Sequence, residues 1–426
     1  MSVSFRNRLN ADYVLTFFAE FLVLLAGVLV YKLAAKDLGE QGFSQYALCR
    51  RTISFIQPLL IIGLGVAIPR YIAMAMAERT YKKPGNYFIG GVLLMTIVAL
   101  PILISMLIFS KQFSFLLFGD RSFEYLMPYL VIMLGGMLLH SICYGYFRGK
   151  VMMVHANIFQ IINLGIVPLL VFYFFSTLTG VLLFTGIIWF STGIITVLLF
   201  ILPGLEWTKK ELLESVKELW IYGIQRVPGD FALAGFLALP AYFAAHMIDD
   251  NLKTAGNVAF GMSMLNLGGA AFGPICLMLL PKASEVIVKK DFVLLKKLTN
   301  RITFWTIGLT VFGLIVAELF TEPIIKIYLG ESFTELVFIV RIILLASIGY
   351  TLYISLRSIL DAYYVKAINT KNIFISFVFF MIGAFAVYYS GSSFEYMLYG
   401  FIAAMLLLGA LTFVETYRIF KLQKRD

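Results

Sequence analysis

DYVLTFFAEFLVLLAGVLVYKL, residues 12–33, is an apolar run interrupted in its interior by one carboxylate, Glu20. A helix needs ~20 mostly apolar residues to cross a hydrocarbon core ~30 Å thick, and this run supplies them. Similar runs recur to the end of the chain, leaving no stretch for a sizeable soluble domain. The composition agrees: of 426 residues, 61% are hydrophobic and only 14% charged, where soluble domains carry about 25% charged residues. Mean hydropathy is +0.90. Residues 12–33 are too long for a signal-peptide core, and no small-residue cleavage pattern follows them, so the run reads as a retained helix. The expected fold class is an all-α integral membrane protein.

Working outward, apolar runs between polar or Gly/Pro punctuation place helices near 12–33, 44–77, 86–110, 124–147, 156–176 and 181–203, then 227–248, 255–287, 302–320, 335–364, 372–390 and 396–417. Lysine and arginine are retained on the cytoplasmic side of a membrane. Here they alternate between the two sets of loops at roughly four to one, which puts both termini in the cytoplasm and requires an even number of spans. The domain reading is an N-terminal lobe 1–205, an amphipathic linker 206–222 and a C-terminal lobe 223–426. Two inner loops, Trp207 to Tyr222 and Val286 to Leu298, carry apolar residues on one helical face and lysines on the other, the pattern of surface helices.

The two halves overlay at a shift of 210 to 215 residues. Leu38, Gly42 and Tyr46 fall on Leu252, Gly256 and Phe260, and Pro69, read as ending the second span, falls near Pro281. Phe118-Gly119 answers Leu329-Gly330, and Asn157-Ile158-Phe159 recurs as Asn372-Ile373-Phe374. Six helices per half bring both copies into the bilayer in the same direction, and transporters built so bind substrate at the repeat interface and rock one half against the other.

The segment Leu33 to Ala47, with Gly39, Gly42 and Tyr46, followed by Gly63, Gly65 and Arg70, resembles the Wzx-type polysaccharide flippases of the multidrug/oligosaccharidyl-lipid/polysaccharide transporter superfamily. Tyr146-Phe147-Arg148-Gly149 and the helix count fit the same pattern, whereas the second half has Lys282 where the first has Arg70 after its proline. The resemblance implies two six-helix lobes forming a V around a cationic central cavity. It implies export of an undecaprenyl-pyrophosphate-linked oligosaccharide across the bacterial inner membrane by alternating access, driven by an ion gradient or the membrane potential. The expected partners are that lipid-linked substrate, membrane lipid, and polymerase and chain-length proteins of the same pathway.

Ionisable residues inside spans cost ~2.5–3.5 kcal/mol on insertion scales, so they face a cavity or a partner. Arg50, Arg51, Arg70 and Arg341 are the basic candidates, because guanidinium forks bind diphosphate oxygens in bidentate fashion. Arg50 and Arg51 point ~100° apart on a helix, so one of them is expected to snorkel outward. Glu20, ~12 Å into its span, is either a site for a coupling H⁺ or Na⁺ or the partner of an arginine. Arg226 and Asp230 are spaced for an i, i+4 ion pair, and Asp12 corresponds to Arg226 in the repeat, which suggests a gate contact at the cytoplasmic side. No cofactor is expected beyond a coupling ion.

Other classes fit less well. The basic residues alternate between loops instead of forming one patch, which argues against nucleic acid. Cys49, Cys143 and Cys276 lack disulfide or metal spacing, and His140, His155 and His246 are scattered. A membrane enzyme would need a large outer loop or a cluster of catalytic carboxylates, and neither is present. The alternative is a cation-coupled antiporter of drugs or other small molecules from the same superfamily, which would want acidic residues for cationic substrates.

Overall fold

The computed structural model describes residues 3–77, 82–250, 252–364 and 367–422, with the side chains of 3–13, 274–278, 280, 281, 288 and 422 outside the description. The described residues form helices joined by short turns, with no strand among them. They fall into two compact units, Met1–Asp230 and Phe231–Asp426.

The first unit opens with α1, Val3–Ile61, whose axis breaks at Gly39 (φ 68°, ψ −176°). The first two expected spans are therefore joined by continuous helix up to that glycine, not by a loop. A side chain would be strained at that φ, and glycine is not. A second break follows at Ile62 and Gly63, both in the left-handed region, before α2, Leu64–Met76. Pro69 lies inside α2 and does not end the span: the break comes before it, where the backbone turns left-handed. The unit continues through α3 (Pro84–Ile108), α4 (Ser110–Phe118), a 3₁₀ turn (Arg121–Leu126) and α5 (Met127–Gly149). Then come α6 (Met153–Gln160), a π-helical turn (Ile161–Ile166), α7 (Val167–Phe174), α8 (Leu178–Thr196) and the linker helix α9 (Lys209–Ile224).

The second unit takes in most of α10 (Val227–Met247), then α11 (Lys253–Ala271), α12 (Gly273–Val288), α13 (Phe292–Tyr328), α14 (Thr334–Leu345), α15 (Ser347–Tyr363), α16 (Ile368–Ser390) and α17 (Phe394–Leu422). The expected surface helix Val286 to Leu298 is not one helix. The chain turns at Lys290 (φ 56°), and the Asp291 carboxylate accepts the Leu294 N–H at 2.9 Å, capping a new helix.

Among the described residues, nine helices are long and apolar enough to cross a membrane, ten with the pair Glu331–Leu345 and Ser347–Tyr363, which is bent by 44°. Every expected span is present as helix. α1 holds the first and most of the second, which continues past the Ile62–Gly63 break into α2, and the eighth is split into α11, weakened by Asn257 and Asn266, and the short α12. The repeat is visible in each unit taken separately: Gly119 and Gly330, both with positive φ, precede 3₁₀ turns, and the starts of α6 and α16 keep the expected shift.

Helices in lipid cannot rely on apolar attraction and instead pack through small residues and hydrogen bonds. α15 and α17 meet at Gly349 and Gly409, so closely that a Cβ on Gly349 would run into the Met405 carbonyl. α13 and α15 are joined by Thr306–Ser355 (2.9 Å) and Thr310–Thr351 (2.8 Å). The outward faces carry exposed Ile97, Ile108, Phe304 and Phe312, as a hydrocarbon solvent requires.

Candidate functional site

Glu20 lies half-buried on α1, a turn beyond Thr16. Residues four apart share a helix face. Asn157 of α6 donates from Nδ2 to Thr16 Oγ1 at 3.1 Å. Tyr144 of α5 lies within electrostatic reach of Glu20, and the Arg148 guanidinium sits 5.5 Å from the Tyr144 ring centroid.

The polar face continues along the fifth span. Gln160 is buried, and its Oε1 has no hydrogen-bond partner among the described residues. Asn163, fully buried in the π-helical turn, meets His140 Nδ1 at 3.1 Å, accepts from Thr192 Oγ1 at 2.7 Å, and its carbonyl accepts the Trp189 indole N–H. His140 is stacked on Phe159 with centroids 4.8 Å apart. The π turn directly precedes Pro168, whose missing N–H loosens the helical ladder. Such turns recur where a side chain must be re-aimed for function. One turn from Glu20, then, stand the Thr16 hydroxyl and the Asn157 amide, and the orphan Gln160 acceptor lies one turn along from Asn157 on its own helix, groups of the kind that ligate a small cation or hold water beside a proton acceptor.

The arginine candidates do not converge. Arg50 lies half-buried, 3.4 Å from the Tyr46 hydroxyl, to which it donates, and 5.7 Å from the Tyr31 centroid. Arg51 is buried. The expectation that one of them reaches outward is overturned: Tyr31 and Tyr46 make an aromatic slot for the first, and protein encloses the second. Arg70 lies exposed at the far end of the same span with its guanidinium 4.6 Å from the Tyr222 centroid. Arg341, in the second unit, pairs with Glu318, with Nη2 2.9 Å from the Glu318 carbonyl oxygen and Nε 3.7 Å from its carboxylate. The two line a groove of about 400 Å³.

Arg226 does not turn to Asp230 in the expected i, i+4 pair. Its Nη2 donates to the Tyr222 hydroxyl at 2.8 Å and its guanidinium stands 4.8 Å from that ring. Asp230 is exposed at the start of α10. The Asp12 side chain lies outside the described residues, as does that of Cys276, while Cys49 and Cys143 are buried free thiols.

No family model matches the chain, and no curated protein does. Solved structures do. An inward-facing multidrug resistance MATE family transporter of the MOP superfamily superposes with a TM-score of 0.76 at 12% identity, over 97% of this chain and 99% of that one. The chain has the fold of the MATE transporters. The eukaryotic MATE transporter AtDTX14 matches with a TM-score of 0.65 at 12% identity, over 95% of this chain and 96% of that one. A MOP superfamily transporter from Pyrococcus furiosus, described as having a binding pocket of reverse polarity that suggests a different function, matches with a TM-score of 0.59 at 15% identity, over 97% and 96%. None of these three is described as a polysaccharide flippase. At such identities the MATE likeness speaks for the fold.

Proposed function

We propose that the protein is a secondary transporter of small organic molecules, coupled to a cation that binds at Glu20. The observation that carries this reading is a half-buried carboxylate on α1 beside the polar face of α6 and its π turn, with the Gln160 acceptor open. An intramembrane carboxylate is retained against its insertion cost where it carries a proton or an ion. The multidrug exporter among its structural neighbours supports the small-molecule class over the lipid-linked glycan. Neutralising Glu20 by a proton or Na⁺ removes a charge from the span, and re-ionising it on the other side returns that charge, so alternating exposure of one group couples ion flow to export.

The experiment is transport by purified protein in proteoliposomes loaded with a cationic dye, with H⁺ and Na⁺ gradients imposed separately. Coupled transport requires efflux accelerated by one of the two gradients. Efflux indifferent to both removes this reading.

The half-buried Arg50 and the buried Arg51 favour a second substrate class, a phosphate-bearing lipid-linked oligosaccharide moved between leaflets. Cationic drugs are poorly served by two guanidiniums inside the bundle, and the reverse-polarity pocket reported for the Pyrococcus furiosus neighbour indicates that pockets of either sign occur on this fold. Accumulation of a lipid-linked repeat unit on the inner leaflet after gene deletion, restored by the wild-type chain but not by Arg50→Gln/Arg51→Gln, would select this class over the first.

A further inference from the structure

The linker helix does not hang free between the units. Lys82, buried, bridges Glu214 (3.3 Å) and Glu218 (2.8 Å). Tyr87 donates to the second Glu218 oxygen at 2.8 Å. Asn86 Oδ1 accepts the Thr208 N–H and its Nδ2 donates to the Thr208 carbonyl, at 2.8 and 3.0 Å. At the other end Gly223 packs against the Ile62–Gly63 break so tightly that a Cβ on either glycine would meet the opposing backbone. Tyr222 is thereby held in place, with Tyr71 edge-on to it at 5.8 Å.

Two guanidiniums attend this one ring, Arg70 at 4.6 Å and Arg226 at 4.8 Å from its centroid. Both arginines are exposed. Among the described residues no carboxylate is in ion-pair contact with either: Glu218 is taken by Lys82 and Tyr87, and Asp230 acts on Arg226 only at longer range. A guanidinium has five N–H donors, and the phenol hydroxyl can accept few of the ten, so most face outward. Like charges gathered on a rigid platform without a counter-charge are organised for an anion, and the planar forks suit phosphate oxygens.

What surrounds them selects the anion. Trp220, Ile221 and Ile224, next to Tyr222 in sequence, are exposed, and so is Leu213 two turns earlier on the Trp220 face. Lys209, Lys210 and Lys217 are exposed on the same helix. The exposed face of α9 thus mixes apolar side chains, a tryptophan and lysines, the residue types that settle in the headgroup layer with the lysine heads reaching phosphate. This is also the end of the unit that loop charge assigns to the cytoplasmic leaflet, where anionic lipid collects.

We propose that Arg70, Tyr222 and Arg226 form a binding site for the phosphate of an anionic phospholipid, with α9 as the surface on which its acyl chains rest. The proposal rests on neither Glu20 nor the Arg50 and Arg51 pair, and needs neither transport reading to hold.

The test is native mass spectrometry of the full-length protein titrated with phosphatidylglycerol, with phosphatidylcholine and inorganic phosphate as comparison ligands. Wild type is expected to retain phosphatidylglycerol over phosphatidylcholine, undisturbed by millimolar phosphate. Arg70→Gln/Arg226→Gln is expected to weaken retention roughly tenfold or more. Arg70→Lys/Arg226→Lys, which keeps the charge and loses the fork, should weaken it several-fold at an unchanged melting temperature. Arg418→Gln/Lys421→Gln removes the same charge from the other unit and should retain the lipid. Equal loss in the two glutamine pairs, no loss in the lysine pair, or displacement by inorganic phosphate would each overturn the proposal, the last in favour of a soluble anion.

Discussion

Asn157 and Thr16 join α6 to α1 through a 3.1 Å hydrogen bond, one helical turn from Glu20. The bond ties the carboxylate's helix to the span that carries the π turn and the amide row of Asn157, Gln160 and Asn163. If that row supplies ion ligands, truncating its members should weaken coupling without unfolding the unit. Gln160→Ala is expected to reduce gradient-driven flux roughly tenfold or less, the scale of one lost contact, with little change in melting temperature. Measured flux against an H⁺ or Na⁺ gradient checks it.

Gly349 and Gly409 let α15 and α17 touch backbone to backbone. Valine at 349 cannot fit without separating the helices, and overpacking of this kind costs about 1–3 kcal/mol. Gly349→Val should therefore lower the melting temperature in detergent clearly, whereas Gly383→Ala, which faces open space, should not.

Lys82 is buried between two glutamates that would be left facing each other without it. Lys82→Met should release the linker helix, read as faster cleavage after the lysines of α9 in limited proteolysis. Lys82→Arg, which keeps the charge, should restore protection in part.

Asp120 accepts the Ser122 N–H at 2.9 Å and its hydroxyl at 2.8 Å, which holds its carboxyl below the usual aspartate range. A depressed folded-state pKa means that the cap contributes fully above the unfolded value of about 3.9 and is lost as pH falls through the lower, folded one. Amide exchange at Ser122 and Phe123, normalised for intrinsic rate, should rise only below the ordinary carboxylate range, and Asp120→Ala should abolish that pH dependence.

The spans were legible because a bilayer demands length and apolarity, properties that survive without any knowledge of packing. Glu20 was legible for the same reason, as the one carboxylate in the interior of residues 12–33. What escaped were relations between distant residues. Asn157, Gln160 and Asn163 fall at three-residue spacing in an apolar run, a usable signal, but that Asn157 meets Thr16 while Asn163 meets His140 and Thr192 depends on helix packing. Arg341 read as a candidate for diphosphate, and its pairing with Glu318 was not visible because Glu318 stands on another helix. Arg226 read as the partner of Asp230 because i, i+4 spacing is visible in a sequence, while the Tyr222 ring that Arg226 and Arg70 share is not. The second surface helix failed on one residue, Asp291, whose capping side chain starts α13 afresh.

The account depends most on Glu20 as the group through which an ion gradient does work. The decisive measurement compares uphill accumulation with downhill exchange of the same substrate by wild type and Glu20→Gln in proteoliposomes. The account predicts that the variant still exchanges substrate but accumulates none against its gradient. Accumulation by Glu20→Gln equal to that of wild type would contradict it.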